Sequence, residues 1–175
     1  ICILLMSAWA AHLNADNVDL RQSAVVWTGS KVTGSSHTGT IQIKNANVTF
    51  ENGKISRGRI VVDMGTIANT DIKRSSAKDN LEGHLNGSDF FATSDFPEAV
   101  LKIKKSKHLA GDNYNFRGSL TIKDISFPVS FKASKISEDS QSQTFRADLS
   151  FDRTKYGIRY RSGSFFAGLG DKMIS

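Results

Sequence analysis

The sequence predicts an all-β protein built as an extended antiparallel up-and-down barrel. Between residues 101 and 152, four successive stretches carry apolar residues at every second position and are separated by breaks of hairpin length. Asn52-Gly53 supplies the positive φ angles of a tight turn, and Lys123-Asp124 forms a second two-residue turn. One-sided alternation fits either a sandwich or a closed barrel, and the short sequential hairpins favour the barrel.

The first half of the chain continues this pattern. A first strand is expected within residues 23–30, followed by a turn-rich gap over residues 34–39. The next strand keeps its apolar residues on one face only if a bulge lies near residues 45–47. The return strand then runs from residue 55 to residue 64.

One stretch breaks the β pattern and predicts a short helical plug over residues 76–86. Its apolar residues are more widely spaced, and Ser75 just before it is a residue type that starts helices. Gly87 is expected to end the helix, and the following turn tucks Phe90 and Phe91 inward. The plug would cover one mouth of the barrel.

The composition indicates a single domain, residues 18–175, with a substantial core. The formal net charge is +6, and the basic residues stand singly or in pairs, such as Lys104-Lys105. The scattered basic residues favour a solvated basic surface over nucleic-acid binding. The net positive charge is also compatible with transient contact with a membrane surface.

Both ends of the chain suggest processing or truncation. Residues 1–11 resemble the end of a signal peptide, with Ala8-Trp9-Ala10 as a small-x-small cleavage pattern, which predicts export to the periplasm. The alternative is an N-terminal strand or helix, against which the polar run of residues 12–19 argues. Residues 169–175 stop as an apolar run begins, so the last strand is expected to be missing. The exposed edge left behind could support a homodimer.

No catalytic constellation is evident, and the chain is predicted not to be an enzyme. The two histidines His37 and His84 could be arranged with nearby acids, but neither Gly-x-Ser-x-Gly nor His-x-x-x-His is present. Cys2, the only cysteine, lies in the leader-like segment, so cysteine metal sites and thiol catalysis are not expected in the mature protein. We expect no catalytic residue, no metal and no cofactor.

The inward positions could instead line a lumen for an apolar ligand tail. Burying each CH₂ group of such a tail contributes roughly 0.8 kcal/mol, which requires a continuous apolar wall. The alternative is that these residues simply fill the core. The candidate tail-binding residues are Trp27, Phe90, Phe91, Leu101, Ile103, Phe116, Leu120, Phe127, Phe131, Phe145, Leu149, Phe151 and Tyr156.

Polar residues expected at the mouth are candidates for contact with a ligand head group. They are His37, His84, Asp89 and Arg153. A guanidinium can bind phosphate through two parallel hydrogen bonds. His84 could instead brace the plug, and Arg153 could instead form a structural salt bridge with Asp152 or Asp171.

Several short motifs together resemble the YceI-like family of lipid-binding proteins. They are His37-Thr-Gly39, Gly83-His84-Leu85 with Asp89-Phe90-Phe91, Phe96-Pro97, Gly118-Ser-Leu120-Thr-Ile122, Arg153-Thr-Lys155-Tyr-Gly157-Ile158 and Gly170-Asp171. The pattern of residues 153–166 looks closest to members from Bacteroidetes-type bacteria. The resemblance implies a lipocalin-like, exported barrel that holds an amphiphile such as a polyisoprenoid, an isoprenoid quinone or a fatty-acid derivative. A filled barrel acting as a scaffold or envelope-stress protein, and an enzyme acting on isoprenoid lipids, remain the alternatives.

Overall fold

Eight antiparallel strands form a closed barrel in sequential order. The computed structural model describes residues 2–12, 18–30, 35–140 and 142–159, the first of these ranges through its backbone alone. The strands are β1 (Cys2–His12), β2 (Ala24–Ser30), β3 (Ser36–Glu51), β4 (Lys54–Asn69), β5 (Glu98–His108), β6 (Asn113–Ile122), β7 (Ile125–Glu138) and β8 (Ser142–Phe151). The predicted all-β antiparallel barrel is therefore confirmed.

Strand β1 closes the ring, because it pairs with β2 on one side and with β8 on the other. This is the segment that resembles the end of a signal peptide. Cleavage near Ala10 or Ala11 would remove most of β1, so a processed chain would need another way to close. Residues 169–175, which bear on the predicted missing strand, lie outside the described residues.

The hairpin turns agree with the prediction. Asn52 has φ 51° and Gly53 has φ 72°, and the turn residues Lys123 and Asp124 have φ 51° and 59°. The pairing of β3 with β4 shifts register between Ile43 and Asn45, next to the expected bulge. The gap predicted over residues 34–39 is wrong from Ser36 onward, because Ser36–Ser30 pairing already begins β3 there.

One α-helix interrupts the meander, as predicted. Helix α1 spans Ser75–Asn86 and ends at Gly87. Its N-cap is Arg74, which makes no side-chain capping hydrogen bond, so Ser75 lies inside the first turn and does not cap the helix. No helix in the described part of the chain has the length and apolarity to cross a membrane. A 3-10 turn, Arg153–Tyr156, follows β8 and is capped by the Asp152 side chain.

Candidate functional site

The half of the lumen distant from α1 is filled by aromatic rings. The Tyr114 ring stacks on that of Phe116 with centroids 5.6 Å apart, and Phe145 meets Tyr114 edge-on at 5.5 Å. Phe131 completes the group at 5.5 Å from Phe116. These rings come from β6, β7 and β8, whose alternating residues all point inward. This half of the barrel is a packed core.

The half beneath α1 holds a small apolar cavity. Its volume is about 40 Å³, which would hold roughly two to four waters, since each needs about 10–15 Å³. Ligand pockets usually measure about 300–1,000 Å³. A long tail could therefore enter only if the surrounding side chains moved. The lining residues are Ile41, Ile60, Val62, Met64, Phe91, Ala99, Leu101, Leu120, Ile122, Leu149 and Phe151.

The plug, which we define as residues 75–91, covers this cavity. Leu85 is its buried helical residue, and its carbonyl accepts a hydrogen bond from the Phe91 amide at 3.1 Å. Phe91 lines the cavity, and Phe90 packs edge-on against it at 5.0 Å. The Phe90 carbonyl accepts a hydrogen bond from Lys123 Nζ at 3.0 Å. The plug is thus held by the β6–β7 turn as well as by its own helix.

Asn69, at the end of β4, fastens the start of the plug. It is 1% exposed, and its backbone amide donates to Glu82 Oε1 on α1 at 2.7 Å. Its side-chain nitrogen donates to the Thr38 carbonyl, and its side-chain oxygen accepts from the Ile72 amide. One buried amide side chain therefore joins β3, β4 and the segment that leads into α1.

One histidine–aspartate pair lies beside the plug, and a second lies within it. His37 Nδ1 lies 3.1 Å from Asp71 Oδ2, and His84 Nδ1 lies 3.2 Å from Asp89 Oδ2. Burial alone would raise the pKa of Asp71, but hydrogen bonds from Asn69, His37 and the Thr38 amide together lower it. All four ionisable side chains of the two pairs are at least one-third exposed, so these pairs brace the plug at its outer surface.

Arg153 lies inside this end of the barrel. Its side chain is 2% exposed, and its guanidinium carbon stands 4.9 Å from the centroid of the Phe90 ring. Tyr156, one turn later, packs edge-on against Phe127 and Phe151, and burial raises its pKa to about 12. A cation and an un-ionised phenol are therefore buried together with the aromatic rings under the plug.

Trp27, on β2, carries a buried polar hydrogen. It is 4% exposed, and its indole N–H makes no hydrogen bond within the described residues. Its cross-strand partner is Gly39, two residues from the cavity-lining Ile41. A Cβ at Gly39 would collide with the Ala68 carbonyl and the indole ring, so the residue must be glycine. An oxygen of a bound ligand could satisfy this N–H group.

The structure distributes the candidate tail-binding residues over three environments, and their role in binding stays a prediction. Phe91, Leu101, Leu120, Leu149 and Phe151 line the cavity. Phe90 and Phe127 are partly buried against the core. The others are buried in the core away from the cavity lining, namely Trp27, Ile103, Phe116, Phe131, Phe145 and Tyr156.

The candidate head-group residues form two kinds of contact. His84 and Asp89 bond to each other, His37 bonds to Asp71, and Arg153 is buried against Phe90. The bond between His84 and Asp89 lies within the plug, so it fits the alternative role of His84 as a brace. Asp71 was missed as a partner of His37, since they are 34 residues apart and only β3–β4 pairing joins them.

Six cavity-lining residues were also missed as site residues. They are Ile41, Ile60, Val62, Met64, Ala99 and Ile122. All lie at inward positions of their strands, so the period-two pattern did carry a signal for them. The candidate list did not include them, although they line the cavity together with Phe91 and Phe151.

Within the described residues, no group of three or more His, Cys, Asp and Glu side chains could hold a metal ion.

Comparison with known proteins agrees with this geometry. The sequence model of the YceI-like domain matches residues 17–174. The structure is similar to that of BcnA from Burkholderia cenocepacia, with a TM-score of 0.66, 22% identity, and coverage of 85% of this chain and 87% of that one. It is also similar to the Campylobacter jejuni YceI protein, with a TM-score of 0.58, 15% identity, and coverage of 77% and 79%. No curated protein matches the sequence.

Proposed function

The chain belongs to the YceI-like family, and we propose that it binds an amphiphilic lipid by placing the tail in the cavity beneath the plug. The observation that carries this proposal is the lining of that cavity, whose eleven residues are all apolar. The ligand class is a polyisoprenoid, an isoprenoid quinone or a fatty-acid derivative. The family and its barrel fold are those of binding proteins rather than enzymes.

Binding requires the cavity to grow from its present volume of about 40 Å³. The element best placed to move is the plug, because Phe91 lines the cavity while α1 contributes one buried residue, Leu85. The opposite half of the lumen is already occupied by stacked rings. A tail would therefore displace Phe91 outward and run beneath α1 towards the mouth.

The polar end of the ligand would meet Arg153 and Trp27. Arg153 supplies a buried positive charge next to Phe90, which suits an anionic or strongly polar head group. The buried indole N–H of Trp27 would donate to an ester, carbonyl or hydroxyl oxygen. His37 and His84 would act indirectly, because their bonds with Asp71 and Asp89 hold the plug in place.

The test is native mass spectrometry of the chain, followed by organic extraction of whatever co-purifies. We expect one lipid per chain, or uptake of a long-chain fatty acid added in detergent-free solution. The variant Ala99→Leu fills the cavity and should abolish uptake, whereas Val100→Leu, on the opposite face of β5, should not. Overpacking the interior costs about 1–3 kcal/mol, so the unfolding curve of each variant is measured in parallel.

A filled barrel acting as a scaffold is the second candidate function. The small cavity and the aromatic half of the lumen favour it. The same experiment separates the two functions, because a scaffold would release no lipid on extraction and would take up none in solution. Equal uptake by the wild type and by Ala99→Leu would place the ligand outside the cavity.

We also propose export to the periplasm. The family match begins at residue 17 and leaves out the leader-like residues 1–11, which supports cleavage near Ala10 or Ala11. The test adds a positively charged start ahead of Ile1, expresses the chain in a Gram-negative host and measures the intact mass in the periplasm. A mass that still includes residues 1–11, or retention in the cytoplasm, would refute export by cleavage.

We also propose that the chain forms a homodimer after cleavage near Ala10 or Ala11. Removal of β1 would expose the edges of β2 and β8, which both pair with it, and free edges recruit further strands. Light scattering would show a dimer for the processed chain and a monomer for the chain that keeps β1. A monomer in both cases would remove this proposal.

A further inference from the structure

The positive charge of the molecule is concentrated on one side of the barrel. Strands β3 to β6 carry nine Lys or Arg residues against three Asp or Glu residues. This excess of six positive charges equals the formal net charge of the whole chain, +6. We define the basic wall as the exposed cations in the middle of β4, β5 and β6, namely Arg57, Arg59, Lys102, Lys104, Lys105 and Arg117.

Strand pairing forces these cations together. Arg59 lies directly opposite Lys102, and Lys105 lies directly opposite Arg117. Like charges in such positions destabilise a sheet. Four of the six side chains also surround an open groove of about 430 Å³, whose floor contains Gly58 and Ile103. The groove is lined by Asn47, Thr49, Arg57, Gly58, Arg59, Lys102, Ile103 and Lys104.

Nearby carboxylates do not neutralise the basic wall. Of the acids on these four strands, Glu98 is bonded to Lys44 at 2.8 Å, and this bond is the main cause of its lowered pKa, with a smaller contribution from the charge of Arg59. Asp63 lies opposite Glu98, and Glu51 lies at the hairpin tip opposite Lys54. Across the described ranges of the chain, no ion pair involves any of the six wall cations.

We propose that the basic wall docks the protein onto a membrane surface rich in anionic phospholipid head groups. The three adjacent strands that carry the cations span about 10 Å across the sheet. Along each strand, successive outward residues are about 7 Å apart. Such an array matches many separate phosphates in a plane better than one small anion. Each Lys or Arg near an anionic bilayer adds to the attraction, and the effect weakens with salt.

A nucleic acid is the other polyanion that such a wall could attract. Single-stranded binding sites combine cations with exposed aromatic side chains on which bases stack. The exposed neighbours of the wall cations are instead small and polar, such as Asn47 and Thr49. A membrane surface therefore fits better. The purpose of docking rests on the proposed lipid-binding function, because a bilayer is where an amphiphile would be collected or delivered.

The test measures co-sedimentation of the chain with vesicles at low and high salt. One set is phosphatidylcholine alone, and the other is phosphatidylcholine mixed with phosphatidylglycerol. We expect binding only to the mixed vesicles and release by salt. The wall variant replaces Arg57, Arg59, Lys102 and Lys104 by Gln, and we expect its affinity to fall by about 100-fold or more.

A matched control replaces four exposed cations on other faces by Gln, namely Arg21, Lys73, Arg146 and Lys155. Each variant removes four positive charges from the same total of +6, so only their position differs. We expect the control to keep most of its binding. Equal loss in both variants, or no loss in the wall variant, would overturn the proposal. So would a wild type that ignores mixed vesicles but binds a DNA or RNA oligonucleotide.

Uptake of a fatty acid in vesicle-free solution is measured on the same proteins. The wall variant should take up the fatty acid as the wild type does, because its substitutions face outward. A chain that binds mixed vesicles but takes up no fatty acid would refute the proposed lumen function alone. A chain that takes up fatty acid but ignores mixed vesicles would refute docking alone.

Discussion

The plugged end and the basic wall both hold clusters of polar side chains. Those at the plugged end bond to other parts of the protein, whereas those on the basic wall face solvent. At the plugged end, Asn69, Asp71 and Glu82 bond to neighbouring strands and to α1. On the basic wall, Arg59 and Lys102 face each other without an ion pair in the described part of the chain. The first cluster stabilises the fold, and the second is available to a partner.

The two regions should differ most in how much stability is lost when one asparagine side chain is removed from each. Asn69→Ala leaves the half-buried Ile72 amide without its acceptor, which alone costs about 1–3 kcal/mol. It also removes the side-chain bonds to Asp71 and to the Thr38 carbonyl, which keeps its bond from the Thr70 amide. We expect a loss of about 3 kcal/mol in the free energy of unfolding. Asn47→Ala, at the exposed groove beside the basic wall, should change it by less than about 0.5 kcal/mol. Urea denaturation measures both, and equal losses would remove the distinction.

This contrast also shows what could be read from the sequence. The period-two pattern and the turn residues were enough to predict the barrel, and the break in that pattern predicted α1 to within one residue at its start. Local patterns carry this information, because side-chain alternation and turn angles depend on near neighbours. The basic wall was not predicted. Arg59 and Lys102 are far apart in sequence, and only the register of β4 against β5 places them opposite each other.

The role of the candidate site residues stays a prediction, and only their positions can be compared with the sequence. The large rings fill one half of the apolar interior, and nine aliphatic residues with Phe91 and Phe151 line the cavity in the other. Packing volumes decide which half stays open, and these depend on all strands at once. The contacts of His37 with Asp71 and of His84 with Asp89 could not be read from the sequence, and a head-group role for either histidine stays a prediction.

A second, smaller effect concerns the pH dependence of the plugged end. The folded-state pKa of Asp71 lies below its usual value, so its ionised form favours the folded protein. This contribution is complete above the unfolded-state pKa and is lost as the pH falls through the folded-state pKa. We expect Asp71→Asn to cost at most about 1 kcal/mol near neutral pH, since the pair is exposed.

The difference between wild type and Asp71→Asn should then shrink as the pH falls below about 5 and through the lowered folded-state pKa of Asp71. Thermal unfolding across that range measures it. Asp95→Asn is a suitable control, because Asp95 is exposed and its side chain makes no ion pair with any residue that the structure describes. A difference that grew as the pH fell would contradict the assigned direction of the pKa shift.

The smallest change in the free energy of unfolding is expected on the basic wall, where a substitution should raise the stability. Arg59→Gln removes one member of a like-charged pair, so the free energy of unfolding should rise by about 0.2–1 kcal/mol. The rise should disappear at high salt, because screening weakens the repulsion in the wild type. A loss of stability at low salt would mean that Arg59 already has a stabilising partner within the protein.

The central claim is that an amphiphile enters the cavity beneath the plug, and isoleucine methyl NMR tests it most directly. Ile41, Ile60 and Ile122 line the cavity, Ile55 is buried outside that lining, and Ile136 is 56% exposed. On titration with a long-chain fatty acid, we predict large shifts for the three cavity methyl groups and small ones for the other two. Shifts centred on Ile136, or no shifts at saturating ligand, would contradict binding in the cavity.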